Sequence, residues 1–204
     1  MSRYLGPRLR KVRALDCELP GLTQKSRDNR PQPPGQHGNG RRRRGRKSDY
    51  ALQLMEKQKL RFNYGLTEKQ MRRLVLSAKS SRENTNNKVI ELLERRLDNV
   101  VFRAGLAPTI PAARQLVTHR HFLVNGKRLD IPSYQVRVGD VIEPRQRSRE
   151  LERIATAVAA PSLLCPPWIN FDQTALKATV SELPGPETIP FPVDVQLVIE
   201  YYAR

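Results

Sequence analysis

Apolar residues recur every three or four positions through residues 48–94, which predicts a small helical domain. A first helix follows Ser48 and ends at Gly65, a residue type common just after a helix. Thr67 and Gln70 have the spacing of a capping box and predict the start of a second helix. A third helix follows the asparagine-rich loop 84–87. The apolar faces of the second and third helices are Met71, Leu74, Val75 and Ala78, and Val89, Leu92, Leu93 and Leu97.

From residue 95 the pattern changes to short helices and strands. Thr109 can cap a helix with Pro111 in its first turn. Strand-forming residues 122–124 then lead into Asn125-Gly126, a tight hairpin turn, and Lys127 and Arg128 begin the return strand. A further strand is predicted at 136–138, and a second turn at 139–140 leads to another strand at 141–142.

The last quarter of the chain is predicted to form a helix and two strands. Ser148 can cap a helix that carries an apolar face over 151–158 and ends at Pro161. Alternating apolar residues predict strands over 176–180 and 193–201. Trp168 and Phe171 could stack on bases, but their prolines and apolar neighbours favour a place in the core.

These elements predict an α+β fold with four parts. A basic N-terminal extension is expected at 1–47 and an all-helical domain at 48–94. From residue 95 onward, a small antiparallel sheet packed on helices is expected. Residues 196–204 are predicted to be a C-terminal strand or tail that can return to the helical domain.

The charge of the chain favours a polyanionic partner. The 204 residues include 37 Lys and Arg against 20 Asp and Glu, a net charge of +17. Residues 1–49, 50–94, 95–150 and 151–204 carry +10, +4, +6 and −3 respectively. Positive charge over three quarters of the chain indicates nucleic acid. The acidic last quarter is expected to pack internally or to face a basic protein.

The extension at 1–47 is interpreted as a segment that becomes ordered on binding. It has little apolar periodicity and five nearly consecutive arginines, which favour phosphate contact. A solvated tail and a polybasic membrane anchor are the alternatives, although no lipidation signal accompanies the arginines. The arginines are Arg41, Arg42, Arg43, Arg44 and Arg46.

A second group of polar and basic residues is predicted to form a rigid array at a helix end and the following hairpin. Such an array suits recognition of the shape and phosphate spacing of folded RNA. For the two histidines in the group, partial burial is an alternative to RNA contact, and a metal site has little support. The group is Arg114, Gln115, His119, Arg120, His121, Lys127 and Arg128.

Other classes of protein have little support in the sequence. Cys17 and Cys165 cannot supply a four-cysteine metal site, so no metal or other cofactor is expected. They fit a reducing cytosol. No segment is apolar and long enough to span a membrane, and the N-terminus lacks the pattern of a secretory signal. Phosphate-cradling loops and nucleophile motifs are absent, which argues against catalysis.

Several strings resemble one family specifically. EKQKLRFNYGLTEKQ at 56–70, RRLDNVVFR at 95–103 and ARQLVTHRHFLVNG at 113–126 are similar to the family of the fourth protein of the small ribosomal subunit, in its bacterial and plastid form. The start, SRYLGPRLRKVR, and the close, VIEYYAR, resemble the same family. Thr118 stands where the family often has Asn. Many relatives carry four N-terminal cysteines that bind a metal centre, and only Cys17 remains here.

The resemblance implies a mixed α/β domain at 95–195 that carries an RNA-binding module at about 95–150. It also implies a structural, non-enzymatic role in the ribosome, either in the cytoplasm or in the plastid stroma. The implied partners are 16S rRNA, bound early at a multi-helix junction in its 5′ domain, neighbouring small-subunit proteins, especially the fifth, and mRNA near its entry site. Assembly of the subunit body and an influence on decoding accuracy are also implied. An RNA-modifying or aminoacylating enzyme with the same module, and a DNA-binding protein or nucleic-acid chaperone, remain alternatives.

The complete set of predicted RNA-binding residues extends the two groups above to other parts of the chain. The additional residues are Arg3, Tyr4, Arg8, Arg10, Lys47, Lys57, Lys59, Arg61, Tyr64, Arg72, Arg73 and Asn125.

Overall fold

A computed structural model describes residues 4–35 and 48–203, and the following elements lie within them. The helices are α1 (Arg8–Leu15), α2 (Asp49–Asn63), α3 (Glu68–Lys79), α4 (Thr85–Glu94), α5 (Leu97–Arg103), α6 (Ile110–Thr118), α7 (Glu152–Ala159) and α8 (Val195–Tyr201). The strands are β1 (Phe122–Val124), β2 (Lys127–Arg128), β3 (Val141–Pro144), β4 (Ile169–Asp172) and β5 (Lys177–Val180). Short 3-10 helices occur at Gln146–Ser148 and Pro186–Thr188.

The chain divides into two compact units. Unit 1 is Met1–Val89 with Phe191–Arg204, and unit 2 is Ile90–Pro190. The change from one unit to the other falls inside α4, whereas the sequence placed boundaries at 48, 95 and 196. Those domain boundaries remain predictions. The fold class is α+β, as predicted, with helices and one small antiparallel sheet. No helix among the described residues combines the length and the apolar character that a membrane crossing requires.

Local sequence signals determine where the helices of unit 1 begin and end. The Ser48 side chain accepts a hydrogen bond from the Ala51 N–H at the start of α2. Gly65 follows α2 with a φ of +60°, a left-handed conformation that favours glycine. At the start of α3, Thr67 and Gln70 form the predicted capping box, with both reciprocal bonds present.

The N-terminal segment contains a helix and buried apolar side chains where it is described. Helix α1 and the loop after it bury Val12, Leu15, Leu19 and Leu22, and α1 packs against α2. Four well-spaced apolar residues are thus enough to dock this short segment onto an existing helix. That the extension at 1–47 becomes ordered on binding remains a prediction. The arginine-rich part of the extension lies outside the described residues.

Unit 2 is built on a five-stranded antiparallel sheet with the order β2-β1-β3-β5-β4. Val124 pairs with Lys127 across the hairpin, and Phe122 pairs with Pro144 on the other side of β1. Strand β3 pairs in turn with β5, where Ile142 opposes Ala178. Strand β2 therefore lies at one edge of the sheet and β4 at the other.

Unit 2 differs from the sequence predictions at two points. Residues 136–138 form no strand, because Val136 exchanges hydrogen bonds with Arg95 at the end of α4 instead of joining the sheet. Ser148 does not cap α7, whose N-cap position is Leu151. The Ser148 hydroxyl instead lies within hydrogen-bond distance, 3.0 Å, of Nδ1 of His121, just after α6. Of the two aromatic residues expected in the core, Trp168 is buried, with 2% of its surface exposed, whereas Phe171 is only half-buried.

The C-terminal strand predicted over 193–201 is wrong, because the segment forms α8. Asp194 caps this helix by accepting hydrogen bonds from the N–H groups of Gln196 and Leu197. Val195 and Val198, one helical turn apart, are buried, and α8 packs against α2. The cap and this tertiary packing outweigh the strand preference of the β-branched residues.

Candidate nucleic-acid interface

The end of α6 is shaped by its caps. Thr109 accepts a hydrogen bond from the Ala112 N–H, with Pro111 in the first turn, as predicted. At the other end, Arg120 adopts the left-handed conformation with φ +62°, and the His121 N–H donates to the Leu116 carbonyl oxygen. This is the pattern of a Schellman cap with arginine in place of glycine. It turns the chain from α6 directly into β1.

The hairpin after β1 presents two cations at the sheet edge. Asn125 and Gly126 have φ values of +51° and +74°, the conformation of a type I′ turn. Lys127 and Arg128 on β2 are exposed, and among the described residues neither has an ion-pair partner. Both cations are therefore available to a polyanion.

Asn125 has a structural function at the hairpin. Its Nδ2 donates to Asp140 Oδ1 at 2.8 Å, and its Oδ1 accepts from the Val141 N–H at 2.9 Å. Asp140 also accepts from the Arg137 N–H at 2.8 Å. We call these contacts between the two turns the Asn125–Asp140 latch. The latch fixes the hairpin against β3 and occupies the polar groups that the sequence assigned to RNA.

Arg114 is held by a buried carboxylate. Its Nε and Nη2 lie 3.0 and 2.7 Å from Asp98 Oδ2, and Asp98 is completely buried. Arg96 donates to the same carboxylate at 3.0 and 2.8 Å. One edge of the Arg114 guanidinium is therefore committed to the interior of unit 2. Gln115, next to it on α6, is half-buried.

The two histidines at the end of α6 differ in their surroundings. His119 is exposed, whereas His121 is half-buried beside Ser148, and their ring centroids are 6.2 Å apart. Burial lowers the pKa of His121, and positive charge on His119 and Arg145 acts in the same direction. This shift favours the neutral form of His121. Within the described chain, no three His, Cys, Asp or Glu side chains are grouped to hold a metal.

Two further cations lie beside this group and were missed by the sequence reasoning. The Arg145 N–H donates to the His121 carbonyl oxygen, and its Nη1 donates to the Arg120 carbonyl oxygen. Arg147 follows in the 3-10 helix Gln146–Ser148, and its side chain is exposed. Arg120 itself is exposed and pairs with Asp130 at 2.9 Å. The signal that could have found these residues is the RxR spacing directly after the predicted strand at 141–142.

In unit 1 only part of the predicted set is available at the surface. Arg72 and Arg73 are exposed on α3. Lys57 and Tyr64 are buried, and the Lys57 ammonium lies 3.0 Å from Glu68. Lys59 is 2.6 Å from Glu56 and 3.3 Å from the Pro192 carbonyl oxygen. These contacts make the lysines of α2 parts of the fold.

Some of the remaining predicted residues of unit 1 also form hydrogen bonds within the fold, and others are exposed. Arg61 donates to the Leu66 carbonyl oxygen, and Arg8 donates to the Leu22 carbonyl oxygen. Tyr4 and Arg10 are exposed. The predicted residues that lie outside the described part of the chain are Arg3, Arg41, Arg42, Arg43, Arg44, Arg46 and Lys47.

Comparison with known proteins gives the family. Residues 95–142 match the S4 domain, and residues 3–94 match the ribosomal protein S4/S9 N-terminal domain. The small ribosomal subunit protein uS4 of Methylobacillus flagellatus is 56% identical over all of this chain and 99% of its own. The chain belongs to the uS4 family. Protein uS4B of Nitrosomonas europaea and uS4 of a Synechococcus strain are 52% and 47% identical over the same shares.

The S4 domain match covers the hairpin that carries the exposed Lys127 and Arg128. Residues 95–142 include α5, α6, the hairpin and the start of β3, and thus the Asn125–Asp140 latch and Asp98. Arg145 and Arg147 lie just beyond the matched residues. The resemblance predicted from the sequence is confirmed by both domain matches and by the relatives.

Proposed function

We propose that this uS4-family chain is a structural constituent of the small ribosomal subunit and binds 16S rRNA through the hairpin of β1 and β2. The observation that carries the proposal is the exposure of Lys127 and Arg128 beside a turn that the Asn125–Asp140 latch holds in place. Two unpaired cations on a fixed hairpin match the regular charge of an RNA backbone. Arg120, Arg145 and Arg147 extend the same basic surface.

The attraction of RNA to this surface and the selection of one folded RNA arise from different properties of the surface. Displacement of counterions by the exposed cations gives a long-range, salt-dependent affinity. Selection needs fixed geometry, because a folded RNA helix offers side chains mainly its shape, its phosphates and its 2′-hydroxyls. The Asn125–Asp140 latch and the cap at Arg120 supply that geometry before binding, so less conformational entropy is lost in the complex.

A second basic surface on α3 contributes to the same binding. Lys69, Arg72 and Arg73 are exposed on this helix, whose opposite face buries Met71 and Val75. Because unit 1 and unit 2 each carry exposed cations, one chain can hold two RNA segments. We propose on this basis that the chain binds early, at a multi-helix junction of the 5′ domain, and promotes assembly of the subunit body.

We propose that the acidic last quarter of the chain contacts other proteins and not RNA. Glu182 and Glu187 of unit 2 are exposed, and carboxylates repel phosphate. This charge, together with uS4 family membership, supports contact with neighbouring small-subunit proteins, including the fifth. We propose that these contacts transmit an influence on decoding accuracy and that the chain lies near the entry of mRNA. The family is a structural, non-enzymatic class, and we assign the chain no catalytic role.

Filter binding to a 16S rRNA fragment across a salt series tests the proposed hairpin contact. Lys127→Gln and Arg128→Gln should each weaken binding and make the slope of log K against log salt shallower by about one unit, because each removes one phosphate contact. Arg153→Gln is the matched control, since it removes an exposed arginine of α7 outside the proposed surface. The control should keep the wild-type slope.

Two results would contradict the proposal. If the hairpin variants kept the wild-type slope of log K against log salt, the hairpin would not contact the RNA backbone. Equal affinity of the wild-type chain for 16S rRNA, duplex DNA and polyphosphate would indicate a general nucleic-acid chaperone. Co-sedimentation with small ribosomal subunits after a high-salt wash provides an independent test, and release at moderate salt would count against a core constituent.

A further inference from the structure

An aromatic and cationic cluster in unit 1 involves residues that the proposed phosphate contacts do not use. The rings of Tyr4 and Phe62 meet edge to face, with their centroids 5.9 Å apart. The Lys11 ammonium lies 5.1 Å from the Tyr4 centroid and 4.8 Å from the Phe62 centroid. The Arg61 guanidinium lies 5.4 Å from the Phe62 centroid. Two aromatic rings are thus flanked by two positive charges.

The Tyr4 ring is held in a defined position although it lies near the surface. Its hydroxyl group donates to the Pro7 carbonyl oxygen at 3.3 Å. The ring folds back over Gly6, where a Cβ atom would come within 2.6 Å of the Tyr4 hydroxyl oxygen and 2.8 Å of the ring. Glycine at position 6 therefore permits the observed position of the ring.

Apolar surface at this place has no cover within the described chain. Tyr4 keeps 39% of its surface exposed, and the neighbouring Leu5 keeps 80%. A site for phosphate alone would need cations and no exposed ring. An exposed aromatic ring with cations beside it matches the arrangement by which proteins bind single-stranded nucleic acid, with the base on the ring and the backbone near the cations.

We propose that the Tyr4 ring, held edge to face against Phe62, forms a stacking site for an unpaired nucleobase of RNA, with Lys11 beside the adjoining backbone. This inference rests on the proposed function and specifies a substrate class for unit 1. Unit 1 recognises a base that is free of a helix, whereas the hairpin of unit 2 contacts backbone. A junction of several RNA helices offers such unpaired bases at its centre.

Substitution of Tyr4 separates stacking from charge. Tyr4→Leu in the full-length chain keeps an apolar contact for Phe62 but removes the aromatic ring. Its affinity for a 16S rRNA fragment with unpaired junction nucleotides should fall roughly 5- to 100-fold, because stacking on an aromatic ring is lost. The salt slope should stay at the wild-type value because no charge is removed. A fully paired RNA of equal length should bind both proteins equally.

Tyr50→Leu is the matched control, because Tyr50 is another exposed tyrosine of unit 1 whose ring meets Tyr201. The control should bind the junction fragment as wild type does. Wild-type affinity of Tyr4→Leu for that fragment, or an equal loss on the paired RNA, would overturn the stacking site. If the wild-type chain itself failed to bind the 16S fragment, the proposed function would fail instead.

A fluorescence measurement on the full-length Tyr4→Trp protein makes the test independent of any loss of stability. The natural Trp168 is buried, so it contributes a constant background while a tryptophan at position 4 reports contact with a base. Short unpaired oligouridine should quench the added fluorescence, and polyphosphate, which has charge without bases, should not. Equal quenching by both, or by neither, would overturn the stacking site.

Discussion

At the residue scale, the same residue type fulfils opposite functions at different positions. Arg128 is exposed without a carboxylate partner among the described residues, whereas Arg114 and Arg96 share the buried carboxylate of Asp98. A buried guanidinium is stable only while its charge is matched, since removal of one partner leaves an unpaired charge in the interior. The stability of the S4 domain therefore depends on Asp98, although the predicted site residues did not include it.

Asp98→Asn should lower the free energy of unfolding by about 3 kcal/mol or more, because two guanidinium groups lose their shared counter-charge. Chemical denaturation of the full-length protein measures this loss. Asp130→Asn is the matched control, since Asp130 pairs with the exposed Arg120, and it should cost less than about 1 kcal/mol. Equal effects of the two substitutions would show that burial of the Asp98 carboxylate contributes little.

At the element scale, short-range signals identified turns and caps better than strands. Thr67 with Gln70 and Asn125 with Gly126 act over at most three residues, so the sequence was enough to predict them. The alternation of residues 136–138 predicted a strand. This prediction failed because the alternation carries no information about Arg95, with which Val136 forms its hydrogen bonds. Register and pairing depend on contacts that are distant in sequence, and a local pattern does not contain them.

The hairpin provides a test at this scale. Asn125→Gly keeps a residue that tolerates the positive φ but removes both side-chain bonds of the Asn125–Asp140 latch. The Val141 N–H, which donates to Asn125, should exchange with solvent markedly faster in hydrogen-exchange experiments. Binding to 16S rRNA should weaken with the salt slope unchanged, because geometry is lost and charge is kept.

Gly126 should also retain its conformation in the Asn125→Gly protein, so the strands themselves remain paired. Unaltered exchange at Val141 would mean that the latch does not hold the turn. A shallower salt slope would instead indicate that the cations of β2 had moved away from the RNA.

At the scale of the whole molecule, segments distant in sequence complete unit 1. Helix α8 packs on α2, and the Tyr202 hydroxyl group donates to Glu68 Oε1 at 2.6 Å, with Lys57 donating to Oε2 at 3.0 Å. The sequence could not show that the C-terminal segment joins these residues, because more than a hundred positions separate Glu68 from Tyr202. For the same reason it assigned Lys57 to RNA.

The pH dependence of stability should report the hydrogen bonds that Tyr202 and Lys57 donate to Glu68. Burial acts to raise the pKa of Glu68, but hydrogen bonds from Tyr202 and Lys57 outweigh it, so the pKa lies below its ordinary value of 4.5. A lowered folded-state pKa stabilises the fold above the unfolded value, and this contribution is lost as pH falls through the folded-state pKa. Thermal unfolding between pH 7 and 3 should therefore show a smaller acid loss in Glu68→Gln than in wild type.

Two tyrosine variants sharpen this measurement. Tyr202→Phe should reduce the acid loss because the pKa of Glu68 then moves back toward 4.5. Tyr201→Phe keeps the ring that lies beside Lys57 and should behave as wild type does. Identical pH profiles for wild type and Glu68→Gln would exclude Glu68 as a source of acid sensitivity.

The discontinuity of unit 1 has a consequence for biosynthesis. A chain emerges from its amino end, so Ile90–Pro190 is available as one continuous stretch while the last residues are still being added. The face of α2 that receives α8 stays uncovered by this helix until Val195–Tyr201 has been synthesised. Unit 2 with its hairpin can therefore be complete before α8 joins unit 1, and a ribosome stalled before Val195 would carry a chain whose α2 lacks the cover of α8.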